Sequence, residues 1–194
     1  MSEPEEEAII AKLDTGNVDA ATVATLERYG PQIHGYLVAV LRRQSSADDA
    51  FALFAEDVWR GLASFRRESS IRTWAYKVAW HSALRIQRDP FVRRGRRLET
   101  KEISELAGRI TGAASAQARR DLADRVQKLR DALTPEERTL LVLKVDRELS
   151  WREVADVMAE QDKPLDEATL RKRFERLTEK LRRLALEQGL LDHE

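Results

Sequence analysis

Cysteine is missing from all 194 residues, which removes disulfides, thiolate metal sites and cysteine nucleophiles together and is compatible with a reducing cytoplasm. Histidine is almost as scarce: His34, His81 and His193 lie far apart, and none belongs to a HExxH or other metal-ligand spacing. Neither a glycine-rich phosphate loop nor a Gly-x-Ser-x-Gly elbow occurs, so the inventory offers no catalytic residue, no metal site and no cofactor site. Apolar runs are far too short to span a bilayer, and Met1 to Glu7 is acidic where a secretory signal would be basic and then apolar. A soluble cytoplasmic chain with no membrane insertion is the expectation. Net charge is missing too, because Lys plus Arg and Asp plus Glu both total 34. No global electrostatic argument for a nucleic-acid partner exists.

What the chain does have is an uneven distribution of that charge. Residues 1–57 carry 4 basic and 11 acidic groups, whereas residues 58–97 carry 11 basic and 2 acidic ones. A second basic cluster puts seven Lys and Arg into residues 171–183. Local basic patches, rather than net charge, are the footprint of a phosphate backbone, although two solvated helix faces would read the same way. Stretches rich in Ala, Leu, Arg and Glu favour helix over strand throughout.

Periodicity and breakers predict an all-α protein of two small helical domains joined by a linker. Residues 1–17 read as an acidic N-terminal tail, its first seven residues disordered. The first domain spans 18–90. A helical pattern runs from about Pro4 or Val18 to Arg43, with a break near Thr15-Gly16-Asn17 and a bend at Gly30-Pro31; a second helix starts at the caps Ser45 to Asp48 and buries Phe51, Phe54, Val58 and Leu62. Ser70 caps a third helix from Ile71 to Arg88, which Asp89-Pro90 ends. Residues 91–118, with FVRRGRR and TGAASAQA, read as a linker holding a partial helix near 100–110.

The second domain, 119–190, opens with an amphipathic helix through Leu122, Val126, Leu129 and Leu133. Thr134-Pro135-Glu136-Glu137 and Ser150-Trp151-Arg152-Glu153 are capping boxes, and Asp166 to Thr169 starts a last, long helix with Leu165 and Leu170 as a staple. The helices at 150–160 and 167–186 read as a helix-turn-helix. Thr169, Arg171, Lys172, Arg173 and Arg176 cluster in the first turns of the second helix, where a recognition helix meets base edges in the major groove. The alternative is a solvated face whose cations pair with Glu175 and Glu179. In the basic segment, Phe65, Trp74, Tyr76 and Trp80 offer flat faces for unstacked bases, but not all can be exposed, and Ile71, Trp74 and Val78 share a stripe that suits the core.

Two stretches carry a family resemblance. "LTPEERTLLVLKVDRELSWREVADVM" followed by "ATLRKRFERLTEKLRRL" is similar to region four of the extracytoplasmic-function (ECF) sigma factors, and "FRRESSIRTWAYKVAWHSALRIQR" resembles the promoter-melting part of their region two. The resemblance covers about residues 20–90 and 125–186. It departs at the turn AEQDKPLDEA, about five residues longer than the family's, and at Asp49-Ala50-Phe51-Ala52-Leu53, where the family commonly has Asp-Leu-x-Gln-Glu.

The resemblance implies a sigma factor whose partners are bacterial core RNA polymerase and promoter DNA, with no cofactor. An anti-sigma protein or a regulatory kinase is left open as a further partner. It implies minus-thirty-five contacts from Thr169, Arg171, Lys172, Arg173 and Arg176, and minus-ten contacts from Phe65, Arg66, Arg67, Ser69, Ser70, Arg72, Lys77, Trp80, His81, Arg85 and Arg88. Polymerase contacts would come from Asp49, Ala52, Leu53, Glu56 and Asp57; either the last two replace the lost charge, or the contact stays weak until something else, such as a phosphate on a nearby hydroxyl, supplies it. The rival readings are a stand-alone helix-turn-helix regulator and an adaptor that kept the fold.

Overall fold

The computed structural model describes residues 3–88, 129, 131–159 and 165–187. The chain divides into two compact units, Met1–Ala116 and Gln117–Glu194. Among the described residues every regular element is helical.

The first unit contains α1 (Glu3–Asp14), α2 (Val18–Leu41), α3 (Gln44–Gly61), a single tight turn at Leu62–Ser64 and α4 (Ile71–Arg88). The helical pattern thus does begin near Pro4, and of the first seven residues, expected to be disordered, Glu3 to Glu7 belong to α1. The reason is local: Ile9 is buried, while Glu5 and Asp14 pair with Arg28 and Arg67. Gly16, at φ +74°, turns the chain from α1 into α2, where Asn17 Oδ1 accepts the Ala20 N–H at 3.2 Å. Pro31 lies inside α2, which continues to Leu41 and ends on Arg42 in the left-handed conformation. Helix α3 starts at Gln44, one residue before the expected caps, with Arg43 at the N-cap and no side-chain cap bond. Ser70 does cap α4, its Oγ accepting the Thr73 N–H at 3.0 Å.

Helices α2, α3 and α4 pack on one another, and α1 lies on α2. Their core is aromatic: Tyr29, Tyr36, Phe51, Phe54 and Tyr76 are all buried, with Tyr36 and Tyr76 meeting edge to face at 5.5 Å. Each such side chain contributes about 1.5–3 kcal/mol by leaving water, before any ring-on-ring term. His34, wholly buried on α2, places Nε2 2.8 Å from Asp48 Oδ1 and so ties α2 to α3. His34 is thus a packing and hydrogen-bonding residue, its ring also meeting Phe51 edge to face at 5.6 Å.

In the second unit, α5 (Pro135–Leu141) runs into a wider turn at Val142–Asp146, where the Arg147 N–H reaches the Val142 carbonyl at 2.9 Å. Then come α6 (Trp151–Met158) and α7 (Glu167–Glu187), the latter packed on both α5 and α6. Both predicted capping boxes form: Thr134 and Ser150 accept the N3 N–H groups, and the Glu137 and Glu153 carboxylates accept the cap N–H groups at 2.8 Å. The wider turn after α5 was not expected. The linker 91–118, almost all of the helix expected before Leu133, and residues 160–164 of the long turn lie outside the described residues.

Glu137 also joins elements, because Lys180 of α7 donates to its carboxylate at 2.7 Å. Burial pushes its pKa up, but the Lys180 and Thr134 hydrogen bonds outweigh that and hold it below the ordinary glutamate range. A carboxyl whose folded pKa is depressed stabilises the fold above its unfolded value, and that contribution is lost as pH falls through the folded one. The second unit should therefore lose stability on acidification below the ordinary glutamate range. Thermal melts across that window should show a flatter pH slope for Glu137→Gln; an unchanged slope would remove Glu137 from the acid response.

Candidate nucleic-acid interface

The segment between α3 and α4 is shaped from both sides. Gly61 closes α3, and a Cβ there would stand 3.2 Å from the Trp74 indole, so the glycine lets that ring lie close against the helix end. Phe65 also meets Trp74, with ring centroids 5.7 Å apart, and both rings are half-buried. The loop Arg66 to Ser70 follows directly. Arg67 adopts φ +60°, a conformation costing a non-glycine residue roughly 1–2 kcal/mol, and its guanidinium pairs with Asp14 of α1. Arg66 is 83% exposed, with its nearest acid, Glu68, only at 4.0 Å.

The aromatic faces expected along α4 are fewer than the sequence suggested. Trp80 is 3% exposed and Tyr76 is fully buried, so neither can carry a stacked base without leaving the core. The reason is that α4 buries a broad face between α2 and α3, and positions 76 and 80 lie four residues apart on it. Phe65 and Trp74 remain as the partly exposed pair beside the loop. Of the cations, Arg72, Lys77 and Arg85 are half-buried and Arg88 is exposed. Arg85 donates to Asp57 at 2.5 Å, so this side chain is already partly neutralised. His81 is half-buried and Ser69 and Ser70 flank the start of α4.

On α3 the structure changes the reading of the altered segment. Leu53 is 3% exposed and belongs to the core rather than to an outer face. Glu56 is 5% exposed with its carboxylate 2.7 Å from Arg60, and Asp57 holds Arg85. Neither acid is a spare surface charge, so the expected compensation for the missing Gln-Glu loses its basis: both carboxylates are engaged within the unit. Asp49 and Ala52 are half-exposed on the same helix.

On α7, Thr169, Arg171, Lys172, Arg173 and Arg176 are all exposed, while Leu170 and Leu177 are buried against the rest of the unit. Asp166 Oδ2 accepts the Thr169 N–H at 3.0 Å and caps the helix. Arg171 is held in place: it pairs with Glu167 at 3.2 Å and lies over the Trp151 ring at 5.8 Å. Lys144 approaches the same ring at 4.9 Å, and Phe174 meets its edge at 5.5 Å. This Trp151 cluster was not singled out from sequence, because residues 144, 151 and 171 are joined only by the packing of α6 on both α7 and the wider turn at Val142–Asp146. The alternative pairing of these cations with Glu175 and Glu179 is not seen among the described residues; Arg171 pairs instead with Glu167.

Among the described residues, no group of three or more His, Asp or Glu could hold a metal ion, and no helix is long and apolar enough to cross a membrane. Among the described residues, an all-helical fold presents a basic loop at the head of α4 and an exposed arginine-rich face on α7, features that suit a phosphate backbone. Comparison with known proteins gives the particular class. Residues 25–97 match the sigma-70 region 2 family. The chain is 31% identical over 140 residues to the RNA polymerase sigma factor YlaC of Bacillus subtilis, covering 68% of this chain and 75% of that protein. It is 23% identical over 168 residues to the RNA polymerase sigma-H factor of Pseudomonas aeruginosa, covering 81% of this chain and 84% of that one. The chain belongs to the RNA polymerase sigma factors, in the ECF group. A region 2 match spanning α2 to α4 disfavours the stand-alone regulator, which has no use for that unit. Sigma factors select promoters for RNA polymerase and are not enzymes.

Proposed function

We propose that the first unit melts the minus-ten element and grips core polymerase while the second reads the minus-thirty-five element as duplex. The match of residues 25–97 to sigma-70 region 2, with Arg66, Arg67 and Glu68 of the loop exposed at the head of α4, carries this reading. In it, an unstacked minus-ten base enters the loop, bounded by the Phe65 and Trp74 rings, while Arg66, Arg72, Lys77 and Arg88 meet phosphates. Helices α6 and α7 act as a helix-turn-helix, with Lys172, Arg173 and Arg176 facing the major groove. Arg171, tied down by Trp151 and Glu167, suits a fixed phosphate contact better than base readout. The exposed part of α3 around Asp49 and Ala52 faces the polymerase. An anti-sigma protein and a regulatory kinase are further candidate partners.

Run-off transcription with purified core polymerase on promoter fragments tests this reading. Specific starts that require the chain are expected; polymerase co-purification without promoter-dependent starts would leave only an adaptor. A finer test concerns α7. Arg173→Ala should cost about 1–3 kcal/mol at a single base position, because a bidentate guanine contact discriminates by that much. Binding to a promoter set with each position varied in turn reads this directly. A uniform loss over all sequences would make Arg173 a phosphate contact.

A further inference from the structure

The acidic helix α1 touches the loop that the proposed function places on the minus-ten element, and it does so at both ends. Glu6 Oε1 accepts the N–H of Ile71, the first residue of α4, at 2.6 Å. Its other oxygen accepts the Tyr29 hydroxyl at 3.3 Å, so the carboxylate is fixed against α2 as well. At the other end of the loop, Asp14 pairs with Arg67, the residue whose backbone sits in the left-handed region. Only residues 68–70 separate the two anchors. The Ile71 N–H belongs to the first turn of a helix, where no intrahelical acceptor exists, and Ser70 Oγ is already used by Thr73. Glu6 thus satisfies a donor that the loop itself cannot. Burial and Glu6 together push the Tyr29 phenol up to about 12, so this partner stays a donor at any ordinary pH.

From these contacts we infer that Glu6 and Asp14 are positioning residues for promoter opening: α1 braces the Arg66 to Ser70 loop in the shape that receives an unstacked base. The inference rests on the proposed role of that loop. Neither residue needs to touch DNA. A loop clamped at both ends loses less freedom when a base enters, and geometry misplaced by about 1 Å can cost large factors in rate.

Two measurements on the full chain test it. Amide exchange followed residue by residue should show Ile71 exchanging about tenfold faster or more in Glu6→Ala, the size expected for losing a charge-assisted hydrogen bond, with Glu6→Gln in between because it keeps an acceptor. Thermal melts identify any variant that fails to fold, and Asp14→Asn, which cuts only an exposed pair, serves where Glu6→Ala does. With core polymerase, either variant should slow opening of duplex promoters about tenfold while leaving transcription from pre-melted templates within about twofold. Unchanged exchange at Ile71, or equal losses on both templates, would overturn the brace. Faster opening would overturn it too and mark α1 as a cover over the loop. Failure of the unaltered chain to initiate on any promoter would refute the sigma reading itself, and the exchange measurement, which needs no polymerase, tells that result from failure of the brace.

Discussion

Leu53→Glu is expected to unfold the first unit rather than to restore a polymerase contact. Family resemblance alone argues the opposite, since glutamate is the residue commonly found at this place in the pattern. Packing decides the sign. Leu53 is buried in α3, whose neighbours are α2 and α4, and replacing it forfeits about 1.5–3 kcal/mol of apolar burial. The incoming carboxylate must then be protonated or be buried as a charge, and an unpaired buried ion costs several kcal/mol. Against a total stability of about 5–15 kcal/mol, the sum is enough to depopulate the fold. The penalty also carries a pH signature. Burial raises the folded pKa of the new glutamate above its unfolded value of about 4.3, so the unfolded state releases its proton first, and the deficit grows as pH rises from there. Denaturant titration of the variant at two pH values, beside the half-exposed control Ala52→Glu, checks both statements. A Leu53→Glu protein as stable as its parent, binding polymerase more tightly, would show that position 53 faces outward.

The same residue shows where sequence reading reaches its limit. Capping boxes are local chemistry, complete within four residues, and so Thr134 to Glu137 and Ser150 to Glu153 are legible without knowing anything of the rest of the chain. Helix boundaries at Gly16-Asn17 and at Ser70-Ile71 are legible for the same reason. Which side of an amphipathic helix is covered is a different question. A helix wedged between two others buries more than one stripe, and α3 and α4 each do so, which puts Leu53, Glu56 and Trp80 inside although pattern alone allowed them outside. Long-range polar pairs are further out of reach. Glu6 meets Ile71 across 65 residues, Asp14 meets Arg67 across 53, and Lys180 meets Glu137 across 43, and no spacing rule connects such positions. The run of acids at the N-terminus therefore reads as a solvated tail until the fold supplies its partners. Ile9 and Ile10, four and three residues before Leu13, give the periodicity that a helix starting near Pro4 needs.

Changing Arg66 and Ser69 together to alanine should impair opening of duplex promoters by about 5- to 150-fold, the equivalent of the roughly 1–3 kcal/mol that capture of one unstacked base supplies. The choice of residues follows from what each side chain already does. Ser70 Oγ accepts the Thr73 N–H and donates to the Thr73 hydroxyl at 2.9 Å, so its loss would weaken the cap of α4 and confuse folding with recognition. Arg67 is paired with Asp14, and replacing it would disturb the approach of α1. Ser69 makes only a long contact of 3.4 Å to the Ser70 carbonyl, and Arg66 extends into solvent with a surface pair of little energetic worth. These two can be removed at small cost to the fold, which leaves recognition as the quantity measured. Duplex templates require the base to be unstacked and then held, whereas pre-melted templates supply it already unstacked, so the variant should fall behind chiefly on the former. Open-complex formation and run-off yield on matched duplex and pre-melted promoters give the comparison. Equal losses on both templates would reassign Arg66 to a phosphate contact and take base capture away from the loop.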